Sequence, residues 1–256
     1  MDLLEIKDLH ISFRQDGQDQ EVIRGIDFTV PPNSIVGIVG ESGSGKTVTA
    51  MSILQLLGHN PPKVTGKILW NESGQQIDLS RLTEEQIRPY RGAKISVIFQ
   101  EPMSSLNPVL SCGFQASEGL RVHKLVPRAE IKSEVLRGFQ KVGLQDPERV
   151  YHAYPFELSG GQLQRVLIAL SILCKPKLII ADEPTTALDA SLQKHILLLL
   201  KQLKEELGVS ILFISHDLGM VRELCDYTLV MHKGLIVEKG PTQQLFDSPV
   251  HAYTKG

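Results

Sequence analysis

SIVGIVGESGSGKT, residues 34–47, decides how the rest of the 256-residue sequence is read. Its first seven residues form a near-continuous apolar run, the pattern of a strand buried in a parallel sheet. The remainder completes a GxxxxGK[ST] pattern from Gly40 to Thr47. After a buried strand and before a helix, that spacing has a chemical logic. Gly43 and Gly45 free the loop to aim successive backbone N–H groups inward, which makes a nest for a β-phosphate. The loop is expected to run through Gly40, Glu41, Ser42, Gly43, Ser44 and Gly45. Lys46 then reaches the β- and γ-phosphates, and the Thr47 hydroxyl coordinates Mg²⁺.

A phosphate loop alone does not hydrolyse a nucleotide. KLIIADE, residues 177–183, places Asp182 and Glu183 at the end of a second apolar strand. In an open α/β sheet that edge is where ligands bind. Asp182 is suited to hold Mg²⁺ through a water or from behind its ligands, and Glu183 to act as general base on the attacking water. His216 ends the strand of SILFISHD on the same expected edge, as a γ-phosphate contact. Gln100 closes KISVIFQ and could sense Mg²⁺ or the water.

ELSGGQLQRVLIAL, residues 157–170, is a second anion-facing turn. Ser159 is a good N-cap, and Gly160 and Gly161 let backbone N–H groups approach a ligand closely. One nucleotide needs one cradle, so this turn is redundant within a monomer. The economical reading gives it to a neighbour: two chains about a two-fold axis, each offering Ser159 and Gly161 to the γ-phosphate on the other's Lys46. ATP would hold such a dimer shut and hydrolysis would release it.

Working outward, residues 1–33 read as β-rich, with DGQDQ (16–20) as a turn. A helix after the phosphate loop is expected to run to about Leu57 and end at Gly58. A hairpin turns at Ser73-Gly74, with Trp70 either packed or on the surface. Residues 101–158 lack strong strands and carry a helix near 128–142, with Ile131, Val135, Leu136, Phe139 and Val142 on one face. Another helix spans about Leu188 to Leu207, closed by Gly208, and a last hairpin turns at Lys233-Gly234. Strands alternating with helices around a phosphate loop argue an α/β core with a mostly parallel sheet.

Composition adds exclusions. A net charge of -2 leaves no electrostatic footprint for nucleic acid. Cys112, Cys174 and Cys225 lie far apart and read as small buried apolar residues of a reducing compartment. No signal peptide is evident, and the run VLIALSILC is far shorter than the roughly 20 residues of a membrane span. The expectation is a cytosolic protein that can dock against a membrane protein.

The combined motifs resemble the nucleotide-binding subunit of an ABC transporter over essentially the whole chain. GESGSGKT is similar to its Walker A loop, Gln100 to the Q-loop glutamine, and LSGGQ (158–162, ending at Gln162) to the signature motif. LIIADE looks like Walker B with Glu183 as catalytic glutamate, Ala187-Leu188-Asp189 like the D-loop, and His216 like the switch histidine. The resemblance implies a P-loop core with an N-terminal antiparallel β subdomain and a helical insertion, as one domain over 1–256. Its α/β core would take 1–100 and 178–256, and its helical subdomain 101–177. ATP and Mg²⁺ are the implied cofactors, with Asp189 among the nucleotide contacts. An aromatic near the N-terminus would stack on adenine; Phe13 is the candidate and Val22 a competing placement.

QEPMSSLNPV, YPFELSGGQLQR and SPVHAYTKG are similar to bacterial importers of di- and oligopeptides, with nickel importers close by. That implies a second ATPase subunit, identical or different, and permease subunits whose coupling helix docks around 101–115. A solute-binding protein would act indirectly, and the chain would sit on the cytoplasmic side of the membrane. Many such ATPases continue past a motif like HAYTKG into a cysteine-bearing segment; this sequence ends at Gly256. A DNA-repair ATPase would insert long heptads between the phosphate motifs, and a translation ATPase would carry two cassettes; neither pattern is present.

Overall fold

The computed structural model describes residues 1–256 except Asp16, His59, Asn60, Pro61, Ser73, Ala187 and Gly256. First come β1 (Leu4–Gln15), β2 (Gln18–Val30), β3 (Ile35–Val39), α1 (Lys46–Ser52), β4 (Lys63–Glu72), β5 (Gln75–Asp78) and α2 (Glu84–Ile87). Then follow β6 (Ile95–Ile98), α3 (Pro102–Ser105), α4 (Cys112–Val122), α5 (Ile131–Lys141), α6 (Pro147–His152), α7 (Gly160–Leu173), β7 (Leu178–Asp182) and α8 (Ala190–Leu207). The last are β8 (Ser210–Ser215), α9 (Leu218–Leu224), β9 (Tyr227–His232), β10 (Leu235–Pro241), α10 (Thr242–Asp247) and α11 (Ala252–Lys255). Two compact units result: Met1–Arg88 with Gly208–Gly256, and Pro89–Leu207.

In the first unit an antiparallel sheet has the order β2-β1-β4-β5. Its buried face takes Leu4, Ile6, Leu9 and Ile11 from β1 and Ile23, Ile26, Phe28 and Val30 from β2. Strict alternation along β1 would turn Leu9 outward. A register shift between Ile6 and Leu9, with Asp8 at φ 45, returns it to the core. Trp70 is fully buried in β4, so packing is its role. The turn of DGQDQ is tighter than expected: Asp19 and Gln20 already pair with Arg14 and Phe13. Of the turn residues, Asp16 lies outside the described residues, as does Ser73 of the second hairpin.

The same unit holds the parallel strands β3, β8 and β9. β3 lies between β8 and β9, parallel to both, with Ile35 opposite Ile211 and Val36 opposite Tyr227. All five β3 residues are buried, as a continuous apolar run requires. β10 pairs antiparallel with β9 through Lys233 and Gly234, both at positive φ, the geometry of a type I′ turn.

The helix after the loop is shorter than the sequence suggests. It ends at Ser52, and Gln55, not Gly58, takes the left-handed conformation at φ 55. Gln55 N–H bonds Ser52 O and Leu56 N–H bonds Met51 O, the paired bonds of a Schellman end. The Gln55 side chain explains its place there, donating to the Leu79 and Leu82 carbonyls.

In the second unit β6 and β7 run parallel, with Ile98 opposite Ala181. β6 stops at Ile98, so Phe99 and Gln100 lie beyond it. The helix expected near 128–142 is α5, preceded by a 3-10 turn at Arg128–Glu130. Ile131, Val135, Phe139 and Val142 are buried, while Leu136 is half-buried. α8 begins at Ala190, two residues later than expected, because Asp189 Oδ1 accepts the N–H groups of Ser191 and Leu192 at 3.0 Å each. Helices α3, α4 and α6 fill a stretch where the sequence suggested only one helix.

Cys112, Cys174 and Cys225 are free and buried, as expected. Burial pushes the Cys112 and Cys174 thiols up to about 11. Among the described residues no helix is long and apolar enough to cross a membrane.

Trp70→Ala should lower folding stability by about 3–5 kcal/mol, the usual result of emptying a buried tryptophan site. Urea unfolding followed by far-UV circular dichroism measures it; a loss below about 1 kcal/mol would contradict the packing described.

Candidate nucleotide site

The phosphate loop is built where β3 leaves the core. Gly40 is forced by space: a Cβ there would lie 2.1 Å from the backbone oxygen of Met231 on β9. Behind the loop, Gly234 N–H donates to Ser44 O at 3.0 Å. Inside it, Lys46 is almost fully buried and its Nζ donates to Gly40 O at 2.7 Å and Glu41 O at 2.9 Å. Ser44 Oγ is buried without a hydrogen-bond partner, and no side chain caps α1. An orphaned hydroxyl in such a loop costs free energy. An oxyanion seated here would accept a hydrogen bond from that hydroxyl.

His216 follows β8 in the same unit and is exposed. It is held on both sides: Ser215 Oγ accepts Asp217 N–H at 3.0 Å, and Asp217 caps α9 by accepting Met220 N–H at 3.1 Å. Phe13 is half-buried in β1 opposite Gln20. Val22, the competing position, has its carbonyl 3.6 Å from where a Gly45 Cβ would sit.

The carboxylates and Gln100 belong to the second unit. Ile98 pairs with Ala181, and two residues past each of these partners, beyond the strand ends, Gln100 and Glu183 come side by side. Gln100 Nε2 donates to Glu183 Oε2 at 3.2 Å. Thr186 Oγ1 donates to the same oxygen at 2.9 Å, a partner that sequence reasoning missed. Glu183 takes φ 47, a left-handed conformation that costs a non-glycine residue about 1 kcal/mol or more. Asp182 is buried at the end of β7.

The second turn lies in this unit too. Ser159, Gly160, Gly161, Gln162 and Asp189 line one hollow of about 370 Å³ with Arg165, Leu188 and Leu192. Ser159 Oγ accepts Gln162 N–H at 3.3 Å while Gln162 Oε1 accepts Ser159 N–H at 3.1 Å, a reciprocal capping box. Gln162 therefore shapes the turn. Gly161 has a packing reason as well, since a Cβ there would sit 3.1 Å from Leu192 Cδ2. Arg165 was not among the expected site residues. Its place four residues after Gly161, on one helix face, was the available signal. Ala187, of the expected D-loop, lies outside the described residues.

Comparison with known sequences decides the family: the description "ABC transporter" matches residues 23–186. This chain belongs to the ABC transporter family. Over 254 residues it is 47% identical to the peptidoglycan transport ATP-binding protein YejF of Agrobacterium fabrum, covering 99% of this chain and 46% of that protein. The cassette thus spans less than half the length of that relative. A putative peptide import ATP-binding protein of Brucella ovis is 44% identical over 256 residues, 99% of this chain and 76% of its own length. Among solved structures, the dimeric ATP-binding cassette MJ0796 in a post-hydrolysis state with ADP and Pi aligns with TM-score 0.80. It is 25% identical, over 93% of this chain and 98% of that one. The likeness extends to the ABC ATPase α/β fold expected from the sequence.

Gly40→Ala should displace the cassette's loop from Met231 and cost roughly 1–3 kcal/mol of stability, as overpacking does. A variant whose denaturation midpoint matches the parent's would contradict that close approach.

Proposed function

We propose that the chain is the Mg²⁺-ATP-hydrolysing subunit that powers an importer of dipeptides or oligopeptides, peripheral on the cytoplasmic side of the membrane. The observation that carries the reading is a pair of unlike turns in one chain: a loop around buried Lys46, and the capped hollow at Ser159. The orphaned Ser44 Oγ and the Lys46 ammonium, held inside the loop on the Gly40 and Glu41 carbonyls, fit a nucleotide's phosphates. Bound Mg²⁺-ATP supplies the phosphoanhydride and the counter-charge for its cleavage.

In this reading Lys46 orients the β- and γ-phosphates, aided by loop residues Gly40 to Gly45. Thr47 and Asp182 hold the metal, with Gln100 at its edge. Glu183 takes the proton of the attacking water, and Gln100 and Thr186 aim its carboxylate. His216 meets the γ-phosphate and Phe13 stacks on adenine. Ser159, Gly160, Gly161, Gln162 and Asp189 face the nucleotide of a second ATPase subunit, identical or different. The α/β core, 1–100 and 178–256, would carry the chemistry, and the helical subdomain, 101–177, would meet the permease subunits. A solute-binding protein would deliver cargo on the far side.

Dimeric cassettes of similar structure support the paired arrangement. The cargo reading rests on relatives named for peptidoglycan transport, peptide import and glutathione import, the last from Salmonella at 41% identity. All three solutes contain peptide linkages.

Lys46→Ala and Glu183→Gln should each lower ATP turnover at least about 100-fold, the scale of a lost general base or phosphate anchor. Turnover retained in Glu183→Gln would overturn the catalytic assignment. By light scattering that variant should dimerise with Mg²⁺-ATP, alone or with its partner ATPase, and not with Mg²⁺-ADP. Ser159→Ala should impair turnover yet keep monomer ATP binding; lost monomer binding would refute the cross-dimer role. Uptake of a labelled dipeptide by cells with and without the gene tests the cargo.

A further inference from the structure

The segment 249–255 comes back to the phosphate loop within the first unit. Glu238 of β10 accepts the backbone N–H groups of Val250 at 2.8 Å and His251 at 3.0 Å. Those bonds turn the chain into α11 and present Tyr253 to the loop. The Tyr253 ring lies against the His232 ring, centroids 4.2 Å apart and planes tilted by 35°. The Tyr253 hydroxyl oxygen accepts a hydrogen bond from Glu41 N–H at 3.1 Å.

Glu41 is a sensitive place to hold. Its carbonyl accepts from Lys46 Nζ at 2.9 Å and from Ser44 N–H at 3.2 Å. One residue therefore has its N–H fixed by Tyr253 and its C=O shared between the ammonium and the loop's turn. The β9–β10 hairpin supports the same loop from behind, through Met231 and Gly234. A change in the angle of the Glu41 backbone moves the carbonyl that aims Lys46.

We propose that Tyr253 is a positioning residue of the phosphate loop, and that segment 249–255, clamped by Glu238, is a strap that sets nucleotide affinity through Glu41. This rests on the reading that loop 40–47 binds ATP. The strap acts on the loop before any ligand arrives, so it has a readout that needs no nucleotide. The ring contact with His232 secures the tyrosine, and the hydroxyl alone makes the bond to Glu41. Phenylalanine therefore separates packing from positioning.

The experiment uses the full chain and its Tyr253→Phe, Glu238→Ala and double variants. Hydrogen exchange of the ligand-free protein, followed on the peptide containing residues 40–45, should speed up in all three variants. Calorimetric titration with ATP should show affinity about 2- to 10-fold weaker in Tyr253→Phe, the effect of one net hydrogen bond. The KM for ATP should rise in step, with kcat within twofold and the melting temperature unchanged. The double variant should be no weaker than the weaker single, since both break one strap. Unchanged exchange or unchanged affinity in Tyr253→Phe overturns the proposal, and so do additive losses in the double variant. Titration of the parent chain in the same series tests the nucleotide reading separately: a parent that bound no ATP would sink that reading, while the exchange rates would still report whether Tyr253 holds the loop.

Discussion

The ammonium of Lys46, taken almost out of water onto the carbonyls of Gly40 and Glu41, is the constraint around which the first unit is arranged. An ammonium drawn out of water is costly unless hydrogen bonds replace its hydration. Holding it requires a loop whose carbonyls turn inward on one side while its amides serve the other. That loop in turn needs a rigid back. β3 supplies one end, wedged between two parallel neighbours. The β9–β10 hairpin supplies the rest, so close behind Gly40 that no side chain fits there.

The same logic recurs at each strand end. β3, β6, β7 and β8 are mostly apolar, and polar residues gather at or just past their ends: the loop after Val39, Gln100, the Asp182-Glu183 pair and His216. Buried strands cannot host charge, so it gathers where they leave the core. In the second unit the parallel register does further work, bringing Gln100 and Glu183 together without any direct sequence link. Glu183 holds an unfavourable backbone conformation while Thr186 and Gln100 both bond its carboxylate. Such strain held by neighbours is common where a side chain must be aimed.

Features written in local sequence were legible: the apolar strands, the glycine-rich turn between β3 and α1, the cap at Ser159 and the hairpin at Lys233-Gly234. What could not be read depends on residues far apart in the chain. α1 ends early because Gln55 reaches carbonyls at Leu79 and Leu82. The shift in β1 at Asp8 exists to keep Leu9 on the core face, which no turn residue announces. Gly161 read as a phosphate contact, yet it also admits Leu192 of a later helix. Thr186 and Tyr253 carried no motif of their own, and their roles emerge only from what they touch.

The capping box at Ser159 also bears on the order in which the parts form. Its two bonds join residues three apart on one helix turn. Such local structure equilibrates in roughly 0.1–1 μs. The Lys46 loop depends instead on β3 meeting strands from the far end of the chain, as Ile35 meets Ile211. Long-range pairing of that kind is slow, because the loop-closure entropy comes before any contact is gained. During synthesis the Ser159 turn can therefore be in place before the Lys46 loop has the strands that back it.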